Sequence, residues 1–178
     1  NTATPYAGVY YPSGLTNDLS GNAVVVPPSH AALRGMLNSD NASYPWIAAA
    51  GTRRGLVDNL AAIGYVDNAT GEFRTVGVTP GLRDVMYSNK VNPITNLLGA
   101  GLVIFGQKSL NPDASALDRI NVARLVNYIR YQLNVLSRPF LFEPNDYITR
   151  KNFASVVDSL FVDLVAKRGV TDYVVVCD

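Results

Sequence analysis

The chain has 178 residues, 48% hydrophobic and 16% charged. That composition excludes bulk disorder, which needs low hydrophobicity with high net charge, and it provides core material for one domain. Fifteen basic residues against fourteen acidic ones leave a formal charge of +1, and the basic residues stand in scattered pairs such as Arg53-Arg54 and Lys167-Arg168, so nothing points to a nucleic-acid or anionic-membrane surface.

Residues 1–28 form a strand-rich opening segment. Two strand-like runs, "YAGVYY" (6–11) and "AVVVPP" (23–28), flank the polar stretch "PSGLTNDLSGN", which is expected to be a turn. Ser29 is placed to cap a helix through "HAALRGML" that ends between Asn38 and Asn41. Residues 29–91 join this helix to an irregular region, because residues 43–78 hold no helical period and are broken by five glycines. Thr79 followed by Pro80 opens a short helix to about Asn89. Residues 92–178 then predict a strand–helix–strand–helix–strand core. "PITNLL" and "GLVIFGQKSL" are expected to form a tight hairpin or a bent pair of strands about Gly99-Ala100-Gly101, with "PFLFE" (139–143) and "DYVVVC" (172–177) as further strands.

Two helices are expected between these strands. Ile120, Val122, Leu125, Val126, Ile129, Leu133 and Leu136 line one face of the first. Phe153, Val156, Val157, Leu160, Phe161, Leu164 and Val165 line the second, which closes at Lys167-Arg168-Gly169 with the glycine available for a left-handed cap. The fold class is therefore α/β, a mixed sheet flanked by amphipathic helices in a single core domain.

No catalytic constellation emerges. His30 is the sole histidine and Cys177 the sole cysteine, too few for a zinc site or an intramolecular disulfide. The run 101–109, "GLVIFGQKS", only approximates a phosphate loop: Gln107 precedes Lys108, and Leu102-Val103-Ile104-Phe105 favours a strand where that motif needs a flexible loop opening a helix. Asp113, Asp118, Glu143 and Asp146 sit at helix starts or strand ends, where all but Glu143 have a local structural reason. In "FEPND", Pro144 ends the strand, Asn145 is expected as the helix cap, and Asp146 falls in the first turn. Glu143 is left without a local task. No run approaches the roughly 18 to 20 apolar residues of a membrane span.

"NPITNLLGAGLVIFGQKSL", "DRINVARLVNYI" and "FEPNDYITRKNF", in this order and at these separations, resemble the C-terminal core of tail sheath proteins of contractile-tailed bacteriophages. In that family an N-P-I segment precedes a strand ending in W/F-G-x-[KR]-[TS], then a D-R-[IV]-N-V-x-R-L helix, then F-E-x-N-[DE]. Here these are Asn92-Pro93-Ile94, Phe105 to Ser109, Asp118 to Leu125, and Phe142 to Asp146. A looser likeness begins at residues 25–37, "VVPPSHAALRGML".

The resemblance implies a structural subunit with no enzyme activity, cofactor or metal. Its implied partners are identical sheath subunits, the tail tube protein, and baseplate and tail terminator proteins, in a virion tail assembled in the bacterial host cytoplasm, with no direct nucleic-acid or membrane contact. In the family, terminal arms add strands to a neighbour's sheet. This implies a docking edge along Tyr173, Val174, Val175 and Val176, and charge contacts through Arg119, Arg124, Glu143, Asp146 and Arg150, with Arg130 and Arg138 as further candidates. Family members continue beyond both ends of this sequence, so a fragment of a longer chain is expected. Two other readings fit the composition: a small α/β nucleotide-binding domain or enzyme, and an adaptor that binds one peptide by strand addition.

Overall fold

The computed structural model describes residues 3–178, which fall into two compact units, one ending at Ala123 and one running from Arg124 to Asp178.

The first unit holds two sheets. Strands β1 (Val9–Tyr11), β6 (Val91–Leu97) and β7 (Gly101–Ile104) form one, in the order β1-β6-β7, with β1 parallel to β6 and β6 antiparallel to β7. The other is an antiparallel sheet in the order β3-β2-β4-β5, from β2 (Ser13–Asn17), β3 (Ala23–Val26), β4 (Ala62–Val66) and β5 (Phe73–Thr75). The hairpin β6–β7 forms where the sequence places it, because Gly99 and Gly101 both adopt left-handed φ of 81°, open to glycine without steric cost. Strand β2 corrects the expectation of a turn over 12–22. Only residues 18–22 turn, where the Asp18 carboxylate accepts from the Ser20 and Asn22 amides at 2.8 Å.

Three helices accompany the sheets. Helix α1 (Pro28–Ala42) starts one residue before the expected Ser29 cap, with Pro27 at the N-cap, and its buried face is Ala31, Ala32, Gly35 and Ser39. These small side chains let the helix lie against β1 and β2. The irregular stretch contains a single-turn α2 (Gly51–Arg54). Helix α3 (Pro80–Ser88) is capped as predicted, Thr79 Oγ1 accepting from the Leu82 amide, and it packs on β6. Ala31, Val57, Ile63, Val78, Met86, Ile94 and Ile104 form one buried cluster. Full burial of Ile94 and Ile104 contributes about 1.5–3 kcal/mol each on area grounds.

Helix α4 (Ile120–Ser137) begins in the first unit, and its remaining turns belong to the second. There it is followed by a 3-10 turn (Arg138–Phe140) and helix α5 (Tyr147–Ala166). Both helices form where the periodicity predicts, and Val157 and Leu164 are the buried centre of the α5 stripe, while Val156 and Val165 of the expected stripe are exposed. Phe140 meets Phe153 edge-on at 5.2 Å. The end of α5 shows a double wrap: Gly169 N–H donates to Leu164 O at 2.7 Å and Arg168 N–H to Val165 O at 3.0 Å. The left-handed residue there is Arg168 (φ 58°), one position before the glycine expected to take that role.

Two expected strands do not form. "PFLFE" is the 3-10 turn and an exposed corner, with Phe142 in the left-handed region at φ 70°. Pro139 fixes the start of that turn, and no neighbouring backbone forms a ladder with it. "DYVVVC" carries no ladder pairing among the described residues. Instead, Val174 to Cys177 line a hollow with Leu133 of α4 and Val157 and Phe161 of α5. The mixed α/β class stands; the strand–helix–strand–helix–strand order after residue 92 does not.

Candidate functional site

Three of the four motifs that carried the resemblance meet at one place, and the fourth, Phe142 to Asp146, belongs to the second unit at the start of α5. Asn92 in β6 is fully buried. Its Nδ2 donates to Val9 O at 3.0 Å and to Lys108 O at 2.8 Å, and its Oδ1 accepts from the Lys108 amide at 2.6 Å. This side chain thereby ties β1, β6 and the segment after β7. Gly106 is required opposite it, since a Cβ there would lie 2.6 Å from Asn92 Oδ1 and 2.8 Å from Asn92 Cα.

The Lys108-Ser109 and Asp118-Arg119 pairs close the same knot. Lys108 Nζ lies 2.8 Å from Asp118 Oδ2, Ser109 Oγ donates to Leu117 O at 2.7 Å, and Ser109 N–H donates to Asp118 O at 2.8 Å. The Ile120 amide at the start of α4 donates to Gln107 O at 2.9 Å. The hydrogen bond from Lys108, with its charge and that of Arg119, holds the Asp118 carboxyl below its ordinary value of 3.8. The phosphate-loop likeness thus has a structural account: β7 is a strand, and the Lys108 ammonium is taken by Asp118.

The expected contact residues fall in four separate places, one of them holding Arg124 alone. Arg119 belongs to the knot, its Nε 3.1 Å from Asp118 Oδ1 and its Nη1 donating to the Tyr87 hydroxyl. Glu143, Asp146 and Arg150 cluster at the start of α5. Here the N-cap is Asp146, whose Oδ1 accepts from the Thr149 amide at 2.8 Å, so the expectation of Asn145 is corrected. That bond holds the Asp146 carboxyl below 3.8, with a smaller contribution from Arg150. Arg150 Nη1 donates to Asn145 Oδ1 at 3.0 Å. The Glu143 side chain is exposed and makes no hydrogen bond or ion pair among the described residues.

The third place is the C-terminal segment. Tyr173 stacks on Phe161 at 5.1 Å and donates from its hydroxyl to Asp158 Oδ1 at 2.9 Å, a bond that raises the phenol above its ordinary value of 10.0. Val174 and Val176 are 84% and 70% exposed, with Val175 between them half-buried. Arg124 is half-buried in α4 at the start of the second unit.

A feature that the sequence did not reveal is a hollow of about 470 Å³ in the first unit, lined by Arg83, Tyr87, Phe105, Gly106, Gln107 and Arg119, among others. The Arg83 guanidinium lies 4.6 Å from the Phe105 ring centre. Elsewhere, His30 Nδ1 lies 3.0 Å from Asn59 Nδ2 in an exposed contact. No cluster of metal-ligating side chains occurs among the described residues, and no described helix is long and apolar enough to cross a membrane.

No family model matches the chain. Over 140 residues, 79% of its length, it is 34% identical to the tail sheath protein of Vibrio phage KVP40 and 31% identical to that of Enterobacteria phage T4. A 96-residue match to the tail sheath protein of Salmonella phage ViI is 32% identical. The chain spans 19% and 20% of the length of the first two relatives. Its fold is similar to the contracted sheath of the extracellular contractile injection system PVC, with a TM-score of 0.77 and 24% identity over 98% of this chain and 44% of that one. The contracted helical sheath of the anti-feeding prophage matches with a TM-score of 0.75 and 21% identity, covering 92% and 41% of the two chains. With three of its four signature segments gathered at the Asn92 knot, its sequence matched to phage sheath proteins and its fold shared with contractile sheaths, the chain is similar to one segment of the tail sheath proteins of contractile tails.

Proposed function

We propose that the protein containing this chain is the structural subunit of a contractile tail sheath, which polymerises around a tail tube and contracts to drive the tube through a host envelope during genome delivery. The observation that carries this reading is the 34% identity to a phage tail sheath protein across 140 residues. Residues 1–178 act as one sheath core domain in this reading, both compact units included. Its partners are identical subunits, the tube protein, and baseplate and terminator proteins. It works in the virion, after assembly in the bacterial cytoplasm, without enzymatic chemistry and without touching nucleic acid or membrane.

Two features support self-assembly. The Tyr173–Val176 backbone has no ladder partner among the described residues and exposes alternate valines, which suits an added strand from a neighbour. The charges at Arg119, Arg124, Glu143 and Arg150 supply contacts worth about 0–1 kcal/mol each where exposed, while Asp146 serves through its cap on α5. Negative-stain microscopy of the purified full-length protein tests the reading. Tubes or rings are expected, and salt is expected to loosen them. A full-length protein that stays monomeric under every condition and turns over a metabolite would overturn the proposal.

A further inference from the structure

We propose that the hollow beside the Asn92 knot receives the Phe142-Glu143 corner of a second copy of this chain, as an aromatic ring followed by a carboxylate. The inference rests on the sheath reading for the identity of the partner. The hollow has the chemistry for such a guest. Tyr87 and the half-exposed Phe105 give it aromatic walls, and Arg83 and Arg119 bring two guanidiniums, against one exposed carboxylate at Asp84. Arg83 lies over Phe105 and makes no ion pair among the described residues. Arg119 commits Nε to Asp118 and Nη1 to Tyr87, which leaves Nη2 for another acceptor. At the base lies Gln107, 9% exposed, whose Nε2 has no hydrogen-bond partner. A buried donor without an acceptor is rare and marks a group awaiting one.

The corner has the matching chemistry. Leu141 is 61% exposed and Phe142 completely so. A phenylalanine held at φ 70° is disfavoured in an L-residue, and here the 3-10 turn before it and Pro144 after it hold that conformation. Such a corner presents its ring and the following carboxylate together, already ordered, which lowers the entropy cost of docking. The Glu143 carboxylate has no partner among the described residues, and the hollow carries the excess of positive charge that it lacks.

A peptide of residues 138–146, RPFLFEPND, titrated into the 178-residue chain and followed by amide NMR shifts, tests the fit. Saturable binding is expected, with shifts at Tyr87, Phe105 and Gln107. Affinity should fall at least about tenfold, the scale of one lost anchor contact, for a peptide with Phe142→Ala or Glu143→Gln, and for a chain with Arg83→Ala. Circular dichroism checks that the last remains folded, and the peptide variants need no such check. Absence of saturable binding overturns the inference, as does binding indifferent to Glu143→Gln. Acetate binding as tightly as the peptide would reassign the hollow to a free carboxylate and also overturns it. In the full-length protein, tubes formed by the wild type and weakened by Glu143→Gln support the inference. Tubes unchanged by that substitution remove it and leave the sheath reading intact, whereas a wild type that forms none counts against the sheath reading itself.

Discussion

Replacing Asn92 by alanine removes three hydrogen bonds from a fully buried side chain. The Val9 and Lys108 carbonyls each lose one donor, at a net cost of about 0.5–1.5 kcal/mol apiece. The Lys108 amide loses the acceptor that Asn92 supplies, and a buried N–H left unpaired costs about 1–3 kcal/mol. The expected loss is about 4 kcal/mol, a large part of the ~5–15 kcal/mol that folded domains have in total. Trp46 is the only tryptophan, is buried, and lies in the same unit as Asn92, so its fluorescence reports urea unfolding of the affected unit. With a slope near ~2 kcal/mol per molar, the midpoint should drop by about 2 M. Asn92→Asp keeps the acceptor for Lys108 but turns an anion toward two carbonyls, so at neutral pH it should cost at least as much as alanine. A loss for Asn92→Ala below about 1 kcal/mol, the scale of a single hydrogen bond, would refute the claim that this side chain fastens the three segments.

Three further outcomes are expected. Because Lys108 depresses the Asp118 carboxyl in the fold, the pair's contribution is present above the unfolded pKa of 3.8 and disappears as pH falls through the lower folded value; Lys108→Met should flatten the urea midpoint over that acid range. The Tyr173 phenol is raised by Asp158, so its contribution holds below the unfolded pKa of 10.0 and is lost as pH climbs through the higher folded value. Tyrosinate absorbance should show one late-ionising phenol that Asp158→Asn moves earlier. Leu164→Ala, at a fully buried position of α5, should cost about 2–5 kcal/mol by thermal or urea unfolding, and a loss under about 1 kcal/mol would show that the α5 stripe is not packed as described.

What the sequence revealed followed the reach of each physical signal. Helices α4 and α5 were legible because a stripe recurring every three or four residues records a buried face within the element itself. The β6–β7 hairpin was legible because Gly99 and Gly101 mark the positive φ that its turn needs. Strands are different: apolar content says a segment can extend, but not that another backbone lies beside it. Hence "PFLFE" and "DYVVVC" were read as strands although neither is paired, and the polar "SGLTN" was missed although it is paired on both sides, by β3 and β4. The Asn92 knot was visible as motif order and invisible as geometry, since it joins residues 16 and 83 positions apart in the chain. Charges show the same limit. Arg119 and Arg150, expected to reach a neighbour, each also have a partner within a few residues of their own chain, as does Asp146 at its cap.

In the proposed sheath role, the distribution of satisfied and unsatisfied groups would let one subunit remain rigid while its contacts change. At the knot, Asn92, Lys108, Ser109 and Asp118 direct their polar atoms at one another, and Gly106 excludes any side chain that would spread them. Breaking such a buried network costs several kcal/mol, so the first unit has reason to move as a body. The C-terminal segment is the opposite case: among the described residues its backbone lacks ladder partners, and its valines alternate between cover and solvent. Main-chain hydrogen bonds added there would tie a neighbour with little dependence on side-chain identity, which suits a joint that must persist while surrounding surfaces slide. Exposed charge pairs, each worth less than about 1 kcal/mol, suit the surfaces that must let go. A substitution at Asn92 should therefore lower unfolding stability without selectively weakening assembly. Removing residues 173–178 should do the reverse, leaving the unfolding midpoint of the first unit in place while abolishing tubes in the full-length protein. A truncation that unfolds the first unit would break that division of roles.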